Sequence, residues 1–189
     1  MRRIVSCALL IAGALAISSG QTDKKKFQTK NPQSPPMDTS ITIGGKEIWI
    51  AYHAPSVRGR KIFGGKDTLQ PEDTVWRAGA DQATFLHTDA ALDLNGLAVP
   101  AGEYTLFIDL DKGKWQLIVN KQTGQWGIKQ DGSANFQESQ NVGKVALTMS
   151  KPPAPIELYK ITLSSAGGNK GKLEFAWENV VASVPFTVK

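Results

Sequence analysis

Sulfur and imidazole are scarce in this chain: 189 residues carry one cysteine, Cys7, and two histidines, His53 and His87. Cys7 lies inside the apolar run of residues 4–17, which follows Arg2 and Arg3 and leads into Ser18, Ser19 and Gly20. A basic start, a short apolar run and a small-residue site read together as a secretory signal peptide over residues 1–20. Ala14-Leu15-Ala16 is the competing cleavage point. The run is short for a bilayer, so no transmembrane span is expected in the mature chain. Cys7 precedes the end of the run, so it is no lipidation site and leaves with the leader. The mature protein then has no thiol, which excludes a disulfide framework and thiolate metal sites. It is expected to be exported, periplasmic or extracellular, and stabilised by its own core.

Excess charge is also small. Removing Arg2 and Arg3 lowers the formal net charge from +5 to +3, and Lys24, Lys25, Lys26 and Lys30 hold much of what remains. Those lysines fall in residues 21–39, a polar, proline-bearing stretch with one aromatic residue, read as a flexible linker. The part that folds is close to neutral, which argues against a nucleic-acid partner. Helical periodicity is missing as well: no segment of ten or more residues keeps an apolar stripe at helical spacing.

What is present has a period of two. Residues 40–43 and 46–53 alternate around Gly44-Gly45, a hairpin signal. Ile48, Ile50 and Tyr52 share one strand face and Trp49, Ala51 and His53 the other, so both faces carry bulk and both are expected to be covered. Residues 54–74 keep no period of either kind, and an ordered loop of that length is usually functional. Val75-Trp76-Arg77, a turn at Gly79 and a strand over 83–88 follow. Asn95-Gly96 marks a second hairpin between 91–94 and 97–99. Further strands are expected over 103–109, 115–120, 142–149, 156–163, 172–177 and 180–188, with a polar connection over 121–141 centred on Trp126-Gly127. About ten short strands with turns between them predict an all-β fold. Residues 40–189 should form a single antiparallel β-sandwich of immunoglobulin-like or jelly-roll type with one long irregular loop.

Several chemistries fail on spacing. Residues 59–66 (GRKIFGGK) look like a phosphate loop, but glycine stands where the lysine belongs, and no hydroxyl residue or helix follows. Only a mixed site of one histidine with Asp81 or Asp89 could hold a metal, and a hydrogen-bonded structural histidine is the better reading. No metal and no cofactor is expected. No Gly-x-Ser-x-Gly elbow presents a nucleophile. What remains is a cluster of Arg58, Arg60, Trp76, Arg77 and Asp81, bordered by Tyr52 and His53, with Trp126 in the second polar loop. Guanidinium forks suit carboxylate, phosphate or sulfate, and exposed tryptophan suits sugar rings.

The run Pro55-Ser56-Val57-Arg58-Gly59-Arg60-Lys61-Ile62-Phe63-Gly64 is followed by Val75-Trp76-Arg77-Ala78-Gly79-Ala80-Asp81-Gln82-Ala83-Thr84 and then by Val99-Pro100-Ala101-Gly102-Glu103-Tyr104. These motifs resemble the bacterial secreted family catalogued as domain of unknown function 2911, over nearly all of residues 41–188. Asn120, Trp126-Gly127 and Ala176-Trp177-Glu178 fit it too, while Asp81-Gln82 stands where the family more usually has Asn-Glu. The resemblance implies a secreted bacterial protein and supplies no activity, cofactor or catalytic residue.

Three readings follow. In the first, the protein is a binding or structural module whose arginine-rich loop holds a small anionic or carbohydrate ligand. In the second, it hydrolyses a cell-envelope polymer with His53 as general base and an arginine stabilising the oxyanion. In the third, the arginines only satisfy carboxylates and loop carbonyls. The sequence leans away from an enzyme and fixes no oligomeric state.

Overall fold

The computed structural model describes residues 32–189. The signal peptide read over residues 1–20 and the first part of the linker lie outside the described residues. The strands follow in the order β1 (Pro36–Ile43), β2 (Lys46–His53), β3 (Phe63–Gly64), β4 (Gln70–Pro71), β5 (Val75–Trp76), β6 (Thr84–Thr88), β7 (Leu92–Leu94) and β8 (Leu97–Val99). Next come β9 (Gly102–Asp109), β10 (Gln116–Asn120), β11 (Asn141–Ala146), β12 (Thr148–Ser150), β13 (Ile156–Gly167), β14 (Lys170–Glu178) and β15 (Val180–Val188). Two antiparallel sheets pack face to face, the all-β sandwich that the alternation predicts.

The first sheet runs β1-β2-β6-β9-β10-β11, and β5 pairs with β9 beyond the stretch of that strand that β6 uses. The second runs β13-β14-β15-β7-β8, with β12 also on β15. β1 starts earlier than expected. Pro36, Met37, Asp38 and Thr39 register against His53, Tyr52, Ala51 and Ile50, so the last four residues read as linker belong to the sheet. Their side chains are largely exposed, and backbone pairing rather than burial holds them, which composition does not register.

The single strand expected over 142–149 divides at Leu147. β11 pairs with β10 in the first sheet, the Leu147 amide donates to the Trp115 carbonyl at 2.9 Å, and β12 pairs with β15 in the second. The third motif is a corner: Tyr104 Oη donates to the Pro100 carbonyl at 2.9 Å and fixes the entry into β9.

Between the sheets, Ile48, Ile50 and Tyr52 of β2 join Leu106 and Ile108 of β9 against Leu173, Phe175 and Trp177 of β14 in one continuous core. The outer face of the first sheet is covered as well. Trp49 packs on Phe85 at 5.0 Å between ring centroids, and Phe107 packs under Phe136 of the 121–141 connection at 4.6 Å. This second layer explains why both faces of β2 are bulky. The aperiodic stretch after β2 contains a small parallel pair, β3 with β4, and a bridge from Ser56 to Leu158. Among the described residues, no helix is long and apolar enough to cross a membrane.

Candidate ligand-binding cleft

Three irregular segments meet at one end of the sandwich. The first leaves the edge of β9 after Trp76 and returns at Thr84. It is closed by Thr84 Oγ1 donating to the Ala78 carbonyl (2.7 Å), Trp76 Nε1 to the Gly79 carbonyl (2.9 Å) and the Ala80 amide to the His53 carbonyl (3.0 Å). Gly79 permits this packing, since a Cβ there would sit 2.9 Å from Thr84 Oγ1 and 3.1 Å from the His53 carbonyl. Ala78 and Asp81 both take left-handed backbone, φ 52° and 55°. Asp81 is 4 % exposed, and its Oδ2 accepts the Ser34 amide at 3.0 Å. That bond, with the Ala54 amide donating to the Pro35 carbonyl at 2.9 Å, straps residues 33–35 along the same opening.

The second segment, after β2, carries Arg58 and Arg60. The third, residues 121–141, is held by Asn120, which is fully buried. Its Nδ2 donates to the Gln137 carbonyl (2.8 Å) and Asn141 Oδ1 (2.7 Å), and its Oδ1 accepts the Gln122 amide (2.9 Å). Together these segments enclose a cleft of about 990 Å3, at the upper end of the range for small-molecule sites. Its lining includes the cations Arg58, Arg60, Arg77 and Lys129 and the carboxylates Asp73, Asp131 and Glu138, with Trp76 and Trp177 among the buried aromatic lining.

The three arginines do different things. Arg60 is a staple within its own loop, donating from Nε to the Val57 carbonyl (3.0 Å) and from a terminal nitrogen to the Ser56 carbonyl (2.6 Å). Arg77 is half-buried, donates to the Trp126 carbonyl at 3.2 Å and lies over the Trp126 ring at 5.6 Å. Burial lowers the Arg77 pKa, and neighbouring Asp81 opposes that shift. Arg58 is exposed, and its backbone is left-handed at φ 50°, held by its amide donating to Glu157 Oε1 (2.9 Å). Its guanidinium has no partner among the described residues.

A family profile described as "Protein of unknown function (DUF2911)" matches residues 34–186. The chain belongs to this family. Neither the curated proteins nor the solved structures yielded a match. In this member of DUF2911 the motif residues have separable physical duties. The glycine of Trp126-Gly127 sits against Arg77: at φ 90°, a Cβ would come within 2.9 Å of Arg77 Cβ and 3.0 Å of Ala83 Cβ. The second motif therefore meets the third segment through one close contact.

Of the eight residues singled out from the sequence, Arg58, Arg60, Trp76 and Arg77 line the cleft; Tyr52, His53, Asp81 and Trp126 do not. Tyr52 is buried, and its hydroxyl accepts the Ile161 amide at 3.1 Å, joining the two sheets. Trp126 is 45 % exposed but stands behind Arg77. Trp76 is part of the core as much as of the cleft lining. Lys129, Asp131, Glu138 and Trp177 were missed. The first three lie in a polar connection that offers no period to read, and Trp177 looks purely like core because its strand alternates.

His53 is 2 % exposed and absent from the cleft wall, with Nε2 buried and unpartnered among the described residues. A general base needs hydrogen-bond reach to a proton in an open site, and this placement denies it. His87 pairs with Asp89 at 3.0 Å, and no group of three or more candidate metal ligands occurs among the described residues.

Burial lowers the His53 pKa from its ordinary 6.5; Asp81 opposes the shift and Arg77 adds to it. The unfolded chain therefore takes up this proton first as pH falls. The contribution to stability is complete above about pH 6.5 and is lost progressively below it. Urea unfolding at pH 7.5 and 5.5 should show such a loss, and His53→Gln should reduce it. An unchanged loss in the variant would assign the pH dependence to other groups.

Proposed function

We propose that this chain is an exported binding module that takes a small anionic ligand in the cleft, with Arg58 as the principal contact. The observation that carries this reading is the Arg58 side chain. Arg60 and Arg77 are engaged with backbone carbonyls, whereas Arg58 presents an uncommitted guanidinium at the wall of a large concave site. Backbone strain supports it. Of the six non-glycine residues at positive φ among the described residues, four, namely Arg58, Asp73, Ala78 and Asp81, belong to the cleft or the turn beside it. Such conformations cost of order 1–3 kcal/mol and gather at ligand clamps and active sites. A guanidinium suits a carboxylate or phosphate because its paired donors match two oxygens at once.

Calorimetric titration with inorganic phosphate, citrate and glucuronate tests the reading. The wild-type chain should bind at least one of them, and Arg58→Ala should weaken that affinity about tenfold or more, in keeping with the loss of a charge-assisted hydrogen bond. Because Arg58 is exposed, its replacement should change stability by no more than about 0.5 kcal/mol. Undiminished binding in Arg58→Ala, or no binding by the wild type, would count against the proposal. Export rests on the basic start and the apolar run of residues 4–17. Fractionation of cells making the full chain should recover a protein shortened by about twenty residues outside the cytoplasm.

A further inference from the structure

We infer that the cleft takes an acidic saccharide, a sugar bearing a single carboxylate or phosphate, in preference to a bare anion, a polyanion or a neutral sugar. This rests on the anion-binding reading above and specifies the body to which the charge is attached. Volume comes first. About 990 Å3 is far more space than an isolated phosphate or carboxylate fills, and sites of this size hold ligands of several rings.

The charge pattern comes second. Asp73, Asp131 and Glu138 line the same cleft as the four cations, so a polyanion would meet carboxylates as well as guanidinium groups. Carboxylates are acceptors only, and the natural partners of exposed acceptors in a binding site are hydroxyl donors. Asp131 is already committed, accepting the Ser133 amide (2.9 Å) and hydroxyl (2.7 Å). Glu138 is exposed and has no side-chain partner among the described residues. Among the described residues, Arg58 and Lys129 are cations with no side-chain partner, and they share the cleft with the unpartnered Glu138, so it suits a ligand with a negative group for the cations and hydroxyls for the carboxylate.

The third observation comes from the buried side. Trp177, 1 % exposed, lines the cleft, and its indole Nε1 is buried with no hydrogen-bond partner among the described residues. The hydroxyl of Tyr159, whose ring lies 5.8 Å from that of Trp177, is also buried and unpartnered. Buried polar groups are almost always satisfied, and an indole N–H can only donate. A ligand oxygen reaching the cleft floor would supply the missing acceptor. Neutral sugar oxygens do so without bringing a second charge against the aromatic floor.

Calorimetry and thermal shift with five probes test this: a disaccharide capped by glucuronic acid, a hexose 6-phosphate, the matching neutral disaccharide, inorganic phosphate and citrate. At least one of the two acidic sugars should bind tenfold or more tightly than both the phosphate and the neutral disaccharide, and which of the two does so tells carboxylate from phosphate. Glu138→Gln, an exposed change that leaves the fold intact, should weaken the acidic sugar severalfold without weakening inorganic phosphate. Trp177→Phe, with its melting temperature measured as a control, should weaken whichever acidic sugar binds and leave inorganic phosphate unaffected. If inorganic phosphate or citrate binds as tightly as the acidic sugars and depends on Arg58, the anion cleft stands and the saccharide inference falls. A neutral disaccharide binding as well as the acidic one would overturn both, as would no binding of any probe.

Discussion

Trp177→Ala should cost about 3–5 kcal/mol of stability, the range for deleting a buried aromatic side chain. The ring stacks on Trp76 at 5.7 Å and meets Phe63 and Tyr159 at 5.8 Å each, so its loss opens a cavity that three other aromatic residues face. For a domain of this size the melting temperature should fall by about 10 °C or more. The same substitution at Trp126, exposed and set on the outside of Arg77, should change stability by only about 0.5 kcal/mol. Chemical unfolding of the two variants side by side gives the comparison. A loss below about 1 kcal/mol at Trp177 would mean that the cleft floor is not part of the core, contrary to the packing found here.

Gly127→Ala should be the most damaging single-methyl change in the candidate site, at about 2–4 kcal/mol. The figure combines overpacking, typically 1–3 kcal/mol, with the cost of placing a Cβ on left-handed backbone. The added carbon meets Arg77 and Ala83 at 2.9 and 3.0 Å, and neither can yield without moving the turn after Trp76. The effect should reach function by two routes. Arg77 would lose its hold on the Trp126 carbonyl, and the segment bearing Lys129, Asp131 and Glu138 would be displaced from the cleft. Denaturant unfolding measures the first cost, and hydrogen exchange over residues 121–141 detects the displacement. Wild-type stability together with wild-type exchange would show that the two segments do not depend on this contact.

The architecture was legible where side chains alternate and opaque where backbone or topology decides. Ile48, Ile50 and Tyr52 against Trp49 and Ala51 announce a strand covered on both sides, and β2 is one. Nothing in residues 142–149 announces that Leu147 carries the chain from one sheet to the other, because the alternation continues through the switch. The front of β1 was read as linker since its residues are polar, whereas ladder hydrogen bonds to β2 order it. The site divides along the same line. Arginine density and glycine placement drew notice to Arg58, Arg60 and Arg77, but their different duties depend on carbonyls whose direction the sequence does not encode. His53 stood next to the arginines in the chain, yet strand alternation turns it under the 77–83 turn rather than into the cleft. Lys129 and Glu138 are ordinary polar loop residues until Asn120 and Phe136 fix the loop that carries them.

β15 occupies the middle of its sheet. It is flanked by β14 on one edge and by β7 and β12 on the other. Its pairing of Thr187 with Asp93 spans nearly half the sequence, and until β15 is in place, β14 and β7 each lack their second neighbour and β12 lacks its partner. Assembly of the second sheet must therefore wait for β15, and long-range closure of that kind is slow. A growing chain could not complete this sheet until β15 had emerged. Trp177, at the floor of the cleft, registers with Val180 of β15, so that floor is completed only together with this strand.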